Sequence, residues 1–249
     1  AAPFNSVLSK YMSDVVYEER YEDIRPCYFF GLFLNIALSS LVWIPFCLWE
    51  HFVGKVDVFY TFTGYCGYIG LVLVFYSMIY LSISKDYQKI SLFFFIGMLW
   101  AFLFSLFLRF IMDWGIRESM LFALMTGFFL TAFLELAIIK RYFVKNSNRY
   151  KPVLRYFGKY WKLVVANFFY ILGLYVHNFV FWNTDMRLVV VKTFVCNQPY
   201  DMATCLAMFT NISTTIIFIT RVEMHFHDKY KAYSEAVIGG KGADIDSAK

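Results

Sequence analysis

Charge is what this sequence has least of. Asp, Glu, Lys and Arg make up only 16% of its 249 residues, about two-thirds of what a soluble globular chain carries. Hydrophobic residues reach 60% and aromatics 22%, so an ordinary water-soluble domain is excluded. Period-two alternation is also missing. The apolar runs are continuous, which excludes a membrane β-barrel. Paired cysteines are absent too: Cys27, Cys47, Cys66, Cys196 and Cys205 are scattered without a C-x-x-C motif. They read as small apolar residues within spans, with a Cys196–Cys205 disulfide in an outer loop as the alternative. No glycine-rich phosphate loop, dinucleotide fingerprint or nucleophile elbow occurs, so nothing points to a cofactor or a catalytic residue. His225 and His227 face about 200° apart on a helix, which is not the spacing of a metal-binding pair.

Several apolar stretches are long enough to cross a hydrocarbon core, which takes about 20 residues. The expected fold class is therefore all-α, a polytopic transmembrane helix bundle with about six spans. The spans are expected at Cys27–Trp49 (kinked at Pro45), Val58–Ile83, Ile90–Met112, Met120–Ile139, Leu163–Trp182 and Met202–Val222. Gly64, Gly67 and Gly70 in the second would let another backbone approach closely. Before them, Ala1–Leu8 reads as the end of a further span. Ser9–Arg25 mixes acids and bases with Tyr11, Val15, Val16 and Tyr21, as an interfacial amphipathic helix or a solvated connecting helix does. The expected segments are 1–26, the four-helix block 27–139, the basic loop 140–162, two further spans over 163–222 with an outer loop 183–201, and a cytoplasmic tail 223–249. The ends, AAPFNSVLSK and GGKGADIDSAK, suggest a central portion of a longer protein.

The chain is organised around Tyr150–Trp182. Lys140, Arg141, Lys145, Arg149, Lys151, Arg155, Lys159 and Lys162 supply 8 of the 23 basic residues within a segment that holds no acid. Beside a span, such a cluster is retained on the cytoplasmic side. With that loop inside, 18 Lys and Arg fall in inner segments and 4 in outer ones, so both ends are expected in the cytoplasm. The net charge of +5 is thus a matter of topology and not a nucleic-acid footprint.

Within the next span Asn167, Tyr170, His177 and Asn178 fall inside an arc of roughly 100°. A polar helix face in a membrane needs a protein partner or water. The following span carries Thr204, Ala207, Asn211 and Thr214 along one face. The two faces could pack together or line a polar path, and Trp182 closes the first. Three intramembrane charges stand apart. Arg109 can pair with Asp113 one turn on, or snorkel to the outer interface. Glu135 lies near the inner end of its span, at a different depth from Arg109.

Three stretches resemble the PelG family, inner-membrane exporters of Pel-type exopolysaccharide. They are APFNSVLSKYMSDVVYEERYEDIRP, ANFFYILGLYVHNFVFW and PYDMATCLAMFTNISTTIIFITRVEMHFHDKYKAYSEAV. Asn167, Tyr170, Gly173, Phe181 and Trp182 carry the second; Tyr200, Asp201, Ala203, Val222, Glu223, Phe226 and Tyr230 carry the third. His177-Asn178 departs from the acid–base pair such proteins have there. The resemblance implies a relative of multidrug/oligosaccharide flippases in the bacterial inner membrane. It also implies an amino-sugar polysaccharide substrate, a biofilm role, and a cytoplasmic glycosyltransferase and other membrane subunits as partners. A scaffold anchoring that glycosyltransferase and a His177-dependent intramembrane transferase are the competing readings.

Overall fold

Small residues decide where these helices meet. The computed structural model describes residues 2–83, 87–145, 147, 149–191, 193–221, 230 and 233. Its elements are α1 (Ala2–Tyr17), a 3-10 turn (Tyr21–Asp23), α2 (Ile24–Phe52), α3 (Val58–Ile83), α4 (Tyr87–Phe110), α5 (Ile116–Tyr142), α6 (Lys151–Lys159), α7 (Trp161–Phe181), β1 (Leu188–Val191), β2 (Phe194–Cys196) and α8 (Gln198–Arg221). They form two units, one of residues 1–177 with 191–193 and the other of 178–190 with 194–249.

In the first unit α5 lies between α3 and α4. Its buried side is a line of small and polar residues, Ser119, Ala123, Gly127 and Thr131, continued by Glu135 and Ile139. Against α4 the backbones nearly touch. A Cβ added to Gly127 would stand 2.6 Å from the Gly97 carbonyl oxygen, and one added to Gly97 would collide with Thr131 Oγ1. Without water to drive association inside a bilayer, such close backbone contact is what holds helices together. The expected glycines of α3 behave unequally. A Cβ added to Gly70 would stand 3.1 Å from Phe128 Cβ, one added to Gly67 would be in ordinary contact with Met125, and one added to Gly64 would meet nothing within 4 Å.

At one end of the unit α1, α2, α3 and α6 share a core of Leu8, Tyr11, Met12, Val15, Tyr28, Tyr76, Tyr80 and Val153. The hydroxyls of Tyr28, Tyr76 and Tyr80 in this core are satisfied internally, while that of Tyr11 is buried without a partner. Tyr76 donates to the Tyr28 carbonyl at 3.1 Å and lies 2.7 Å from the Tyr80 hydroxyl, while Tyr28 and Ser77 are 2.8 Å apart. Helix α1 is anchored here along its length rather than lying free at an interface. It is one helix to Tyr17, where the Ser9–Arg25 reading expected it to continue. Glu19 adopts a left-handed φ of 56°, which ends it and turns the chain into α2. Pro152 sits in the first turn of α6, where its missing N–H costs nothing.

Five helices among the described residues are long and apolar enough to cross a membrane: Tyr21–Phe52, Val58–Ser82, Tyr87–Phe110, Ile116–Tyr142 and Trp161–Phe181. Phe95, Phe102 and Phe133 project their rings outward from these helices, as lipid-facing residues do. The chain is an all-α polytopic membrane bundle. Helix α8 covers most of the expected sixth span, but is not one of the five. The expected outer loop contains a two-stranded ribbon, β1 with β2. All five cysteines are free thiols, so the Cys196–Cys205 alternative is not realised.

Candidate translocation surface

Helix α7 has no buried residue. On its polar side Asn167 and His177 are half-buried, and Tyr170 is 64% exposed. The Asn167 amide donates back to the Leu163 carbonyl at 3.2 Å, so part of its polarity is spent within the helix.

A different face of α7 lines a cavity of about 1030 Å³ in the first unit. Phe168, Ile171 and Tyr175 contribute from α7, Phe4 and Asn5 from α1, Asn35 from α2, and Tyr68, Phe75 and Tyr76 from α3. At about 100° per residue, the Phe168–Ile171–Tyr175 face is turned by about 110° from the centre of the face holding Asn167, Tyr170 and His177. The two faces adjoin, so α7 offers a wide surface with an aromatic and a polar half.

Asn35 is the polar feature of this cavity, and its role was not expected from the sequence. It is 0% exposed. Its amide N–H groups donate to Asn5 Oδ1 at 2.8 Å and to the Gly31 carbonyl at 2.7 Å. Its own Oδ1 is buried without a partner. A buried carbonyl left unpaired is costly, and a ligand hydroxyl or amide N–H would satisfy it. Asn5 and Asn35 stand 30 residues apart, and no local periodicity links them.

In the second unit the structure brings Trp182, Tyr200 and Asp201 together. The Trp182 indole N–H donates to both Asp201 carboxylate oxygens, at 3.1 and 3.2 Å. Asp201 also accepts the Asn197 backbone N–H at 3.0 Å, while Asn197 Oδ1 accepts from the Tyr200 N–H at 3.4 Å. This reciprocal arrangement caps the N-terminus of α8, and the acid suits that end of the helix dipole. Tyr200 stacks on Phe181 at 3.8 Å between centroids. Asn178 is half-buried, and its Oδ1 is buried without a partner. Thr204 is half-buried; Thr214 is exposed, its hydroxyl donating to the Thr210 carbonyl at 3.1 Å. The Asn211 side chain, Glu223, His225 and His227 lie outside the described residues.

The charges of these spans have different surroundings. Arg109 Nη1 donates to the Trp114 carbonyl at 2.9 Å and stands 3.7 Å from Asp113, which is 97% exposed. That cation closes the C-terminal end of α4. Glu135 is 0% exposed. The eight basic residues from Lys140 to Lys162 are all exposed. Among the described residues no three His, Cys, Asp or Glu side chains cluster as metal ligands.

Comparison with known proteins gives one family. The model of PelG, described as "Putative exopolysaccharide Exporter (EPS-E)", matches residues 1–249. No curated protein and no solved structure matches the chain.

Proposed function

Since the chain belongs to the PelG family of exopolysaccharide exporters, and is therefore a multi-pass inner-membrane protein, we propose that it conducts a Pel-type amino-sugar polymer outward within a synthesis and export complex that supplies a biofilm matrix. The observation that carries this reading is the cavity walled by α1, α2, α3 and α7. Sugar rings present flat C–H faces that stack on aromatic side chains, and hydroxyl or amide edges that seek hydrogen-bond partners. Phe4, Tyr68, Phe75, Phe168 and Tyr175 offer the first kind of contact, and the free Oδ1 of Asn35 the second. Few polar groups placed on an apolar wall are the usual makeup of a ligand site.

The polar half of α7, with Asn167, Tyr170, His177 and Asn178, extends the path; in the second unit Thr204 and Thr214 are the polar candidates of α8. Trp182 and Asp201 hold the turn between these helices. Both ends of the chain lie in the cytoplasm on this reading. The exposed bases of 140–162 receive an acidic surface of the cytoplasmic glycosyltransferase that makes the polymer. A scaffold reading draws on the same exposed bases. Reversing the charge of Lys151, Arg155 and Lys159 separates the two. A scaffold loses its partner altogether, whereas an exporter keeps other contacts to its complex and loses polymer flux.

The test of the path is a full-length protein in its native cell carrying His177→Leu with Asn178→Leu. Secreted polysaccharide and membrane abundance are measured together. Normal abundance with export lost supports the path, and normal export at normal abundance removes the polar half of α7 from it.

A further inference from the structure

Glu135 has no part in the path above, yet it is the most isolated acid among the described residues. It is 0% exposed, and neither carboxylate oxygen has a hydrogen-bond partner. The other buried acids each have at least one partner, although Glu50 Oε1 has none. Asp23 accepts from Arg20 at 2.8 Å and from Ser147, and Glu50 accepts from Thr193. A bare carboxylate in an apolar interior is so unfavourable that the group takes up a proton instead. Intramembrane acids that persist under that cost mark functional positions.

The groups around Glu135 support a proton rather than a metal ion as its ligand. From α2 come Cys27 and Tyr28, and from α3 Tyr76, Ser77 and Tyr80. Their hydroxyls and thiol are engaged with one another and with the Tyr28 carbonyl, so no ring of free oxygens stands ready for a cation. Tyr28 is close enough to feel the charge of Glu135. From α4, the antiparallel register sets Phe93 beside Thr131. The Lys89 ammonium of α4 donates to the Tyr142 hydroxyl on α5 and not to Glu135. Lys140 and Arg141 follow more than a turn later on α5 itself. A cavity of about 90 Å³, lined by Tyr28, Ser77, Ala132 and Leu136 among others, borders the same turn of α5.

We propose that Glu135 is a proton-binding site. In this state its carboxyl is neutral. Release breaks the Oε–H bond and passes the proton to a water molecule. The site's existence does not depend on the export reading; only its use in an export cycle does.

Dicyclohexylcarbodiimide reacts with protonated carboxyls in apolar surroundings, and mass spectrometry locates the adduct. Full-length protein in native membranes is treated across a pH series. The expected result is an adduct on Glu135 whose yield falls about tenfold per pH unit above its midpoint. It should be absent in Glu135→Gln at equal abundance. No adduct on Glu135 at any pH, or a yield that ignores pH, overturns the proposal. Because labelling needs no transport, its success alongside a failed export assay would count against the exporter path while leaving the proton site standing.

Discussion

Helices α5 and α7 are of similar kind in sequence and opposite in structure. Both are apolar and span-length. Yet α5 buries a line from Ser119 to Ile139 while α7 buries nothing. The difference is side-chain size along one face. On α5 the residues at every fourth position are Ser, Ala, Gly and Thr, which let α4 approach to backbone contact. On α7 the corresponding faces carry Phe, Tyr and Asn. A span that can pack tightly becomes scaffold, and one that cannot leaves its surface for lipid, partner or cargo.

The contrast is broken most severely at Gly127. A leucine there would drive its side chain into the Gly97 carbonyl, and overpacking of this kind costs about 3 kcal/mol. Gly127→Leu should lower the unfolding temperature sharply in detergent. Gly173→Leu on α7 meets nothing within 4 Å, and should leave stability within about 0.5 kcal/mol of wild type. Equal losses at the two glycines would erase the distinction.

A smaller effect is expected in the second unit. Trp182→Phe removes both bonds to Asp201 and should cost about 1.5 kcal/mol, the scale of a hydrogen bond to a charged group. Asp201→Asn should cost less, because the amide oxygen that replaces the carboxylate could still accept one bond. Protease sensitivity of the 183–201 segment would register both changes, and no change in either variant would dismiss the cap.

The smallest effect belongs to the anchor between α1 and α6. Tyr156 donates to Asp14. That bond holds the Asp14 carboxyl below its ordinary range, and raises the Tyr156 phenol well above its own. The lowered acid contributes stability above its unfolded value of 3.8, lost as pH falls through the folded value. The raised phenol contributes below its unfolded value of 10.0, lost only as pH rises through the folded value. The anchor is thus intact between about pH 4 and pH 10, and Tyr156→Phe should cost at most about 1 kcal/mol there. Unfolding curves for variant and wild type should converge at acid pH; a gap that persists there would assign the loss to packing.

Much of the fold was legible in residue order because bilayer thickness sets the length of an apolar run. Of the four spans expected between Cys27 and Ile139, three lie within helices, and the third, Ile90–Met112, overruns the end of α4 by two residues. Partnerships across the sequence were not legible. The Gly97–Gly127 crossing, the Asn5–Asn35 pair and the cavity face of α7 each depend on which helices become neighbours. Periodicity along α7 pointed to Asn167, Tyr170 and His177. The cavity instead uses the adjoining Phe168–Ile171–Tyr175 side, a stripe indistinguishable from lipid-facing aromatics until α1 and α3 stand opposite. Trp182 and Asp201 were noticed as motif residues, and only their geometry gives them the common task of capping α8.

The central claim is that the aromatic cavity carries polymer, and Phe168 with Tyr175 tests it most directly. Both rings are exposed, so Phe168→Ala with Tyr175→Ala should leave membrane abundance unchanged. Secreted polysaccharide from cells carrying the full-length double variant should fall at least about tenfold, the weight of two lost aromatic contacts. Wild-type secretion at wild-type abundance would contradict the account.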